Sequence, residues 1–512
     1  MVFTKCRRSR PGSIGAATEA YAFQLAKRTR WRWIWLAAAG LACSPIRIPP
    51  TPGASPEVVG TTISRADAIA DIDTMMRILE DVHPDLYAER PRDSVSMARA
   101  RIVAGLPPSM SRAELWVRLA PLTASLGDGH TSVYFPGEEV SRMVAGGARL
   151  FPPQVVQDDA GHLIVAAPVA RDVEIEAGDR ILSVNGLNAD SLVRAWTNEV
   201  SGESMRFRVA GVTSGFRSML LLHSIGAPYT LQFERAGGPP RRAVLAGLTQ
   251  DSLRALVLGN AAGRRRTATP NFSYEKLSPG VGYMNFRTMG GDPSVFRGDV
   301  AKMFAQVGAD SVQTLFIDLR SNGGGDSRLG DELLRHLTTK PYRMGGGKQW
   351  KMSGEYRTYF KTWVPAPLRW IHAWNFFGVG RQLMHGPDGK IVDLPESAEA
   401  HSSAGPFFTG NVCVLIGRQT FSSAADLADG IKTYRLATLI GEETGGRPNG
   451  FGEAYVFRLP KSQLAVSVSS ARFVRASGDT SDHRGVVPDV AAGPSELAAS
   501  TLSIQSRNCS KF

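Results

Sequence analysis

Val412-Cys-Val-Leu-Ile-Gly-Arg-Gln-Thr-Phe-Ser-Ser-Ala-Ala-Asp-Leu-Ala-Asp-Gly-Ile431 runs from five apolar residues through a polar turn into a segment with helical spacing. A continuous apolar strand is buried on both faces, and the helix after it covers one of them. The same texture occurs at Val281-Gly-Tyr-Met-Asn-Phe286, Thr314-Leu-Phe-Ile-Asp-Leu319 and Ala437-Thr-Leu-Ile440, before the alternating Leu464-Ala-Val-Ser-Val-Ser469. From about residue 275 the fold class is therefore α/β.

The turn inside the quoted stretch carries chemistry. A hydroxyl between strand and helix is exposed, and the free N–H groups and dipole of the helix start favour developing negative charge. Ser423-x-x-Asp426 reads as a capping box, so Ser423 is expected to cap the helix and Ser422, one residue outside it, to be the nucleophile. Asp318-Leu-Arg-Ser-Asn-Gly-Gly-Gly-Asp326 ends another apolar strand in three glycines, which let backbone approach closely and aim N–H groups into a site. No Gly-Lys-Ser/Thr follows, so oxyanion donors fit this loop better than a phosphate cradle.

Two polar segments supply a base and an acid. Gly127-Asp-Gly-His-Thr131 puts His130 in a glycine turn, and Thr480-Ser-Asp-His-Arg-Gly-Val-Val-Pro-Asp489 puts Asp482 and His483 just after the alternating strand. Each residue alone is more simply structural. None of the nine histidines has metal-ligand spacing, and neither a metal nor another cofactor is expected.

Outward from these segments, Ala68, Ile69, Ile72, Met75, Met76, Ile78, Leu79 and Val82 recur at helical spacing up to His83-Pro84, and further helical stretches cover 94–103 and 112–125. Residues 64–136 read as a helical domain carrying the histidine motif. Residues 137–262 are β-rich, and Ala177-Gly-Asp-Arg-Ile-Leu-Ser-Val-Asn-Gly186 resembles a stretch of PDZ domains. The place matching their carboxylate loop reads Leu150-Phe-Pro-Pro-Gln154, and proline offers no N–H. Residues 341–408 read as an insertion in the 270–495 core. Its first part is rich in aromatic residues and Lys/Arg, readable as a lid or substrate wall, a satellite hydrophobic core, or a membrane-surface contact.

The chain has 512 residues, 43% hydrophobic and 21% charged, which excludes disorder, collagen and coiled coil. Of its net charge of +12, seven units lie in residues 1–42, leaving 51 Lys/Arg against 46 Asp/Glu, too balanced for a nucleic-acid partner. The basic stretch runs into Trp33-Ile-Trp-Leu-Ala-Ala-Ala-Gly-Leu-Ala42, too short to span a bilayer and readable as an export signal. Gly40-Leu-Ala-Cys43 looks like a degenerate lipobox, so Cys43 is either a lipid anchor or a bystander to simple cleavage. A Pro-rich tether covers 43–63, and 496–512 is a tail. Cys413 reads as a buried free thiol, with no disulfide framework.

Taken in order, the His130, Asp318–Asp326, Ser422 and Asp482 segments, with His83-Pro-Asp-Leu-Tyr87, resemble the S41 peptidase family. That family comprises the C-terminal processing or tail-specific proteases and their tricorn-like and interphotoreceptor-retinoid-binding-protein-like relatives. The resemblance spans about residues 64–492. It implies a ClpP/crotonase-like spiral core with an N-terminal helical domain and a PDZ-like module, export, and serine peptidase chemistry on polypeptides. It assigns Ser422 as nucleophile, His130 as base and Asp482 as acid, where Glu is more familiar; His483 is a fallback base. The N–H groups of Ser423 and of Gly323 or Gly324 would form the oxyanion hole. One branch uses a Ser–Lys dyad, but Arg447 stands at the lysine's place and cannot shed its proton. The function expected is an exported serine endopeptidase. A non-catalytic binding protein on the same fold is the alternative, and an esterase a third reading. The sequence leaves the oligomeric state open.

Overall fold

In a computed structural model of the chain the described residues are 59–167, 174–252, 255, 271–362, 378–399, 404–493 and 509. The expected export signal, most of the tether with Cys43 and most of the tail lie outside them, as do Trp363, Trp370, Trp374, Phe376 and Phe377; the last two tether residues are not linker but begin the strand Thr62–Ser64, paired with Ser109–Ser111. The chain divides into a main unit, Thr51–Tyr356 with Asp388–Phe512, and a small one, Met1–Pro50 with Arg357–Pro387. The helix Gly378–His385 belongs to the small unit. The sheets belong to the main unit. No described helix is long and apolar enough to cross a membrane.

A six-stranded sheet forms the core, in the order Phe272–Ser278, Val281–Phe286, Thr314–Asp318, Asn411–Ile416, Thr438–Gly441, Val490–Ala491. Its first pair is antiparallel and all later pairs are parallel, with Ile317 beside Val414 and Val414 beside Leu439. Every residue of Thr314–Asp318 is buried, as a strand covered on both faces requires. The helices Pro293–Ala309 and Ser423–Thr433 pack one face through Phe296, Val300, Phe304, Leu427 and Ile431. Each such buried Phe or Leu contributes roughly 1.5–3 kcal/mol.

The opposite face holds a correction. Cys413 is not a free thiol: it is disulfide-bonded to Cys509, with 5.3 Å between the Cα atoms. Both cysteines pack with Phe316, Leu415, Ile440 and Ala492.

A second, antiparallel sheet runs Ile391–Pro395, Gly345–Lys351, Ala465–Arg475, Phe451–Arg458. The ends of the 341–408 segment are thus strands of this sheet. Trp350 donates its indole N–H to Ser470 Oγ at 2.9 Å and Tyr356 is buried near Tyr455, so these two aromatics belong to a hydrophobic core. The short strand Ser132–Val133 pairs with Ala465–Arg475 at Val466 and Ser467, which fastens the histidine turn to this sheet.

The N-terminal helices are Arg65–Val82, Arg92–Ala104 and Arg112–Ala124. Ser64 caps the first, and Ser111 with Glu114 forms a capping box on the third. A third sheet runs Gln154–Gln157, Leu163–Ala167, Arg180–Val184, Tyr229–Glu234, Arg241–Leu245. Asn185 and Gly186, both at positive φ, turn the chain from Arg180–Val184 back into Leu187–Asn188, as an Asn-Gly hairpin does. The helices Ala189–Trp196, Met205–Ser214 and Phe216–Leu222 make this region less purely β than its sequence texture indicates.

Candidate active site

Ser422 follows the buried strand Asn411–Ile416 and precedes the helix Ser423–Thr433. The turn is held from below: Phe421 N–H donates to Asn322 O (3.0 Å) and Thr420 Oγ1 to Leu319 O (2.8 Å). Ser422 has φ 53° and ψ −135°, a conformation that strains a residue with a Cβ and projects its side chain out of the turn. The expected capping box is absent. Ser422 occupies the cap position without a side-chain cap bond, and Ser423 Oγ donates instead to Gly325 O at 2.8 Å.

His130 meets this serine across 292 residues of sequence, with Nε2 3.0 Å from Oγ. The ring stacks on Phe421, centroids 4.7 Å apart, and Phe421 stacks in turn on Phe207 at 4.5 Å. Only glycine fits at 129, because a Cβ there would lie 2.5 Å from the Phe421 ring. Burial lowers the pKa of His130, while Asp128, the Phe451 backbone and Glu453 pull the other way. The lowered pKa keeps the imidazole neutral and able to take a proton.

Asp128 organises the turn. Its Oδ1 accepts the His130 backbone N–H (2.8 Å); its Oδ2 is 3.2 Å from His83 Nε2 and accepts from Thr131 Oγ1 (2.5 Å) and Ser469 Oγ (2.6 Å). Burial alone would raise this carboxyl. The bond to and charge of His83, with His130 and Ser469, outweigh that and hold it well below the usual carboxylate range.

The expected acid is elsewhere. Asp482 Oδ2 is bonded to Arg475 Nη1 and its Oδ1 accepts the Arg484 N–H at 2.9 Å, while His130 Nδ1 has no hydrogen-bond partner among the described residues. Arg475 also holds Asp429 (2.8 Å), so Asp482 closes a structural ion network at the end of its strand. Among the described residues no hydrogen bond or ion pair joins His483 to the site. Arg447 pairs with Glu89 at 3.1 Å rather than with Ser422.

Of the expected oxyanion donors, Gly324 is occupied, its N–H donating to Asn322 Oδ1 at 2.9 Å. The amides of Gly323 and Ser423 make no hydrogen bond among the described residues. Gly324 also has φ +91°, and a Cβ on it would be 3.0 Å from Ser423 N. A Cβ at Gly323 would meet nothing within 4 Å, so the space on that side of the residue is open.

One neighbour escaped sequence reading. Glu203 brings an oxygen to within 4.8 Å of both a His130 ring nitrogen and an Asp128 oxygen, and no motif marks it. Burial and the Asp128 charge push its carboxyl up to about 8, against the backbone N–H and charge of Arg447.

A strained serine at a helix start, a neutral histidine on its oxygen and free amides beside it are the equipment of a serine-type hydrolase. Residues 280–492 match the model of peptidase family S41. The chain carries a serine peptidase domain of that family over these residues. Its fold is similar to that of mature CPAF complexed with lactacystin (TM-score 0.58, 16% identity, 83% of this chain and 94% of that one). It is also similar to that of a CPAF point mutant (0.59, 18%, 84% and 93%). A photosystem II D1 C-terminal processing protease matches at TM-score 0.42 and 17% identity, over 83% of this chain and 93% of that one. No curated protein matches.

Proposed function

We propose that the protein is an exported endopeptidase that cleaves polypeptides through an acyl-enzyme on Ser422, with His130 as base. The observation that carries this reading is the 3.0 Å approach of His130 Nε2 to Ser422 Oγ. His130 takes the hydroxyl proton as Oγ attacks the scissile carbonyl. The amides of Ser423 and Gly323 donate to the oxyanion, each donor of this kind being worth roughly 10²–10³ in rate. The imidazolium returns the proton to the leaving amine, and water then releases the acyl group by the same route.

The Cys413–Cys509 disulfide supports export, because such bonds persist in oxidising compartments. The basic leader and the lipobox-like Cys43 fit the same route. The third sheet is read as a PDZ-like module. A cleft of ≈650 Å³ runs from its strand residues Val155, Val156 and Ile164 to Arg320 and Arg418 of the core, room for an extended stretch of substrate.

A serine-directed phosphonate probe tests the chemistry. Wild type and Ser423→Ala are expected to be labelled, Ser422→Ala and His130→Ala not. Arg447→Ala keeps a measurable rate. An unlabelled wild type overturns the reading, and casein against simple esters separates peptidase from esterase.

A further inference from the structure

His130 offers Nε2 to Ser422, and its second ring nitrogen is buried without a hydrogen-bond partner among the described residues, the Phe451 carbonyl facing the ring without completing a bond to it. A histidine base needs an acceptor on Nδ1–H, to fix the tautomer and to face the imidazolium once Nε2 is protonated. Asp128 does not supply it: Oδ1 is 3.9 Å from Nδ1 and already accepts the backbone N–H, while Oδ2 serves His83, Thr131 and Ser469. Asp482 is held by Arg475.

Glu453, the other carboxyl facing the ring, is bound by Lys348 Nζ at 2.5 Å, which leaves Glu203. Its Oε2 is held by the Arg447 N–H at 2.5 Å, and Oε1 makes no hydrogen bond among the described residues. The loop that carries it is fixed: Ser204 caps the helix Met205–Ser214, and Gly202 lies so close to Gly129 that a Cβ on Gly129 would be 3.5 Å from its Cα. One of the Glu203 carboxyl oxygens lies within 4.8 Å of a ring nitrogen of His130, and an approach of about 2 Å brings such a pair to hydrogen-bond length.

We infer that Glu203 is a positioning residue for His130, its free oxygen accepting the Nδ1–H as Ser422 gives its proton to Nε2. This rests on the reading of Ser422 and His130 as nucleophile and base. The groups facing Glu203 are Asp128 and His130 from the histidine turn, Arg447 from the loop beneath, and Asp426 from the helix after Ser422. Arg208, on its own element, binds Gly202 O at 2.8 Å, and Glu453 faces the imidazole. The acceptor is the ionised carboxylate. With its pKa pushed to about 8, Glu203 sheds its proton to solvent as pH rises, and the rate rises with it.

The test is the rate of phosphonate labelling at Ser422 from about pH 6 to about pH 9.5. Wild type is expected to accelerate through an ionisation near 8. Glu203→Gln should lose that rise and be at least about tenfold slower at the alkaline end, Glu203→Asp should recover part of it, and Asp482→Asn should keep the wild-type profile. A wild-type profile in Glu203→Gln, or its loss in Asp482→Asn, overturns the inference. Absence of labelling in wild type overturns the underlying reading instead. A ¹³C NMR titration of His130 in Ser422→Ala decides the coupling even then, and also if Glu203→Gln fails to fold. A second inflection near 8 supports the inference, and a single-step titration overturns it.

Discussion

Gly324 stands so close to Ser422 that a Cβ on it would fall 2.7 Å from the serine's own Cβ and 2.8 Å from Phe421 O. The glycine loop and the nucleophile turn are thus one packed unit, with Asn322 bonded to Phe421 and Gly324 to hold both.

Gly324→Ala should therefore act on catalysis. The added methyl must displace the serine or the loop, and φ +91° strains any side chain there. The expected result is a fall in kcat/KM of at least about tenfold with a native-like circular dichroism spectrum. A wild-type rate would show that the loop yields freely.

Asp128→Asn should destabilise the protein by about 3 kcal/mol or more, because it strips a buried carboxylate from His83 and from the histidine turn. Since the Asp128 pKa is depressed on folding, its stabilisation is present above the unfolded value near 3.9 and lost as pH falls through the folded one. The gap between wild type and variant in urea melts should be constant near neutrality and shrink below about pH 4.

Glu203 has the opposite sign. Its folded pKa is raised to about 8, so the stability tied to its proton is present below the unfolded value of about 4.3 and lost as pH climbs to the folded one. Glu203→Gln should gain in Tm relative to wild type across that window and hold the gain above it. A pH-independent difference would show that the carboxyl is not desolvated.

Reduction of the Cys413–Cys509 bond, or Cys509→Ser, should lower stability by about 2–4 kcal/mol. Peptide mapping without reductant should recover the two cysteines linked; free thiols at both positions would contradict the pairing.

The turn that carries Ser422 was legible because strand, turn and helix are contiguous, and the histidine turn because Gly127-Asp-Gly-His130 is too glycine-rich to be a helix or strand. Which carboxylate serves the histidine was not. Arg475 ends the strand seven residues before Asp482 and captures it, a competition that spacing does not reveal. Glu203 reaches the site by tertiary packing of a loop whose sequence, Val200-Ser-Gly-Glu-Ser204, carries no signal. Cys413 and Cys509 are 96 residues apart, and no spacing motif marks them as partners. Ser423 had the right pattern for a capping box, but Gly325 O took its hydroxyl.

The strand that fastens the histidine turn, Ala465–Arg475, is synthesised after both His130 and Ser422. A ribosome that has finished the nucleophile has made the base but not yet its mooring. A chain that ends before Ala465 thus holds His130 and Ser422 without the strand that pairs with Ser132–Val133.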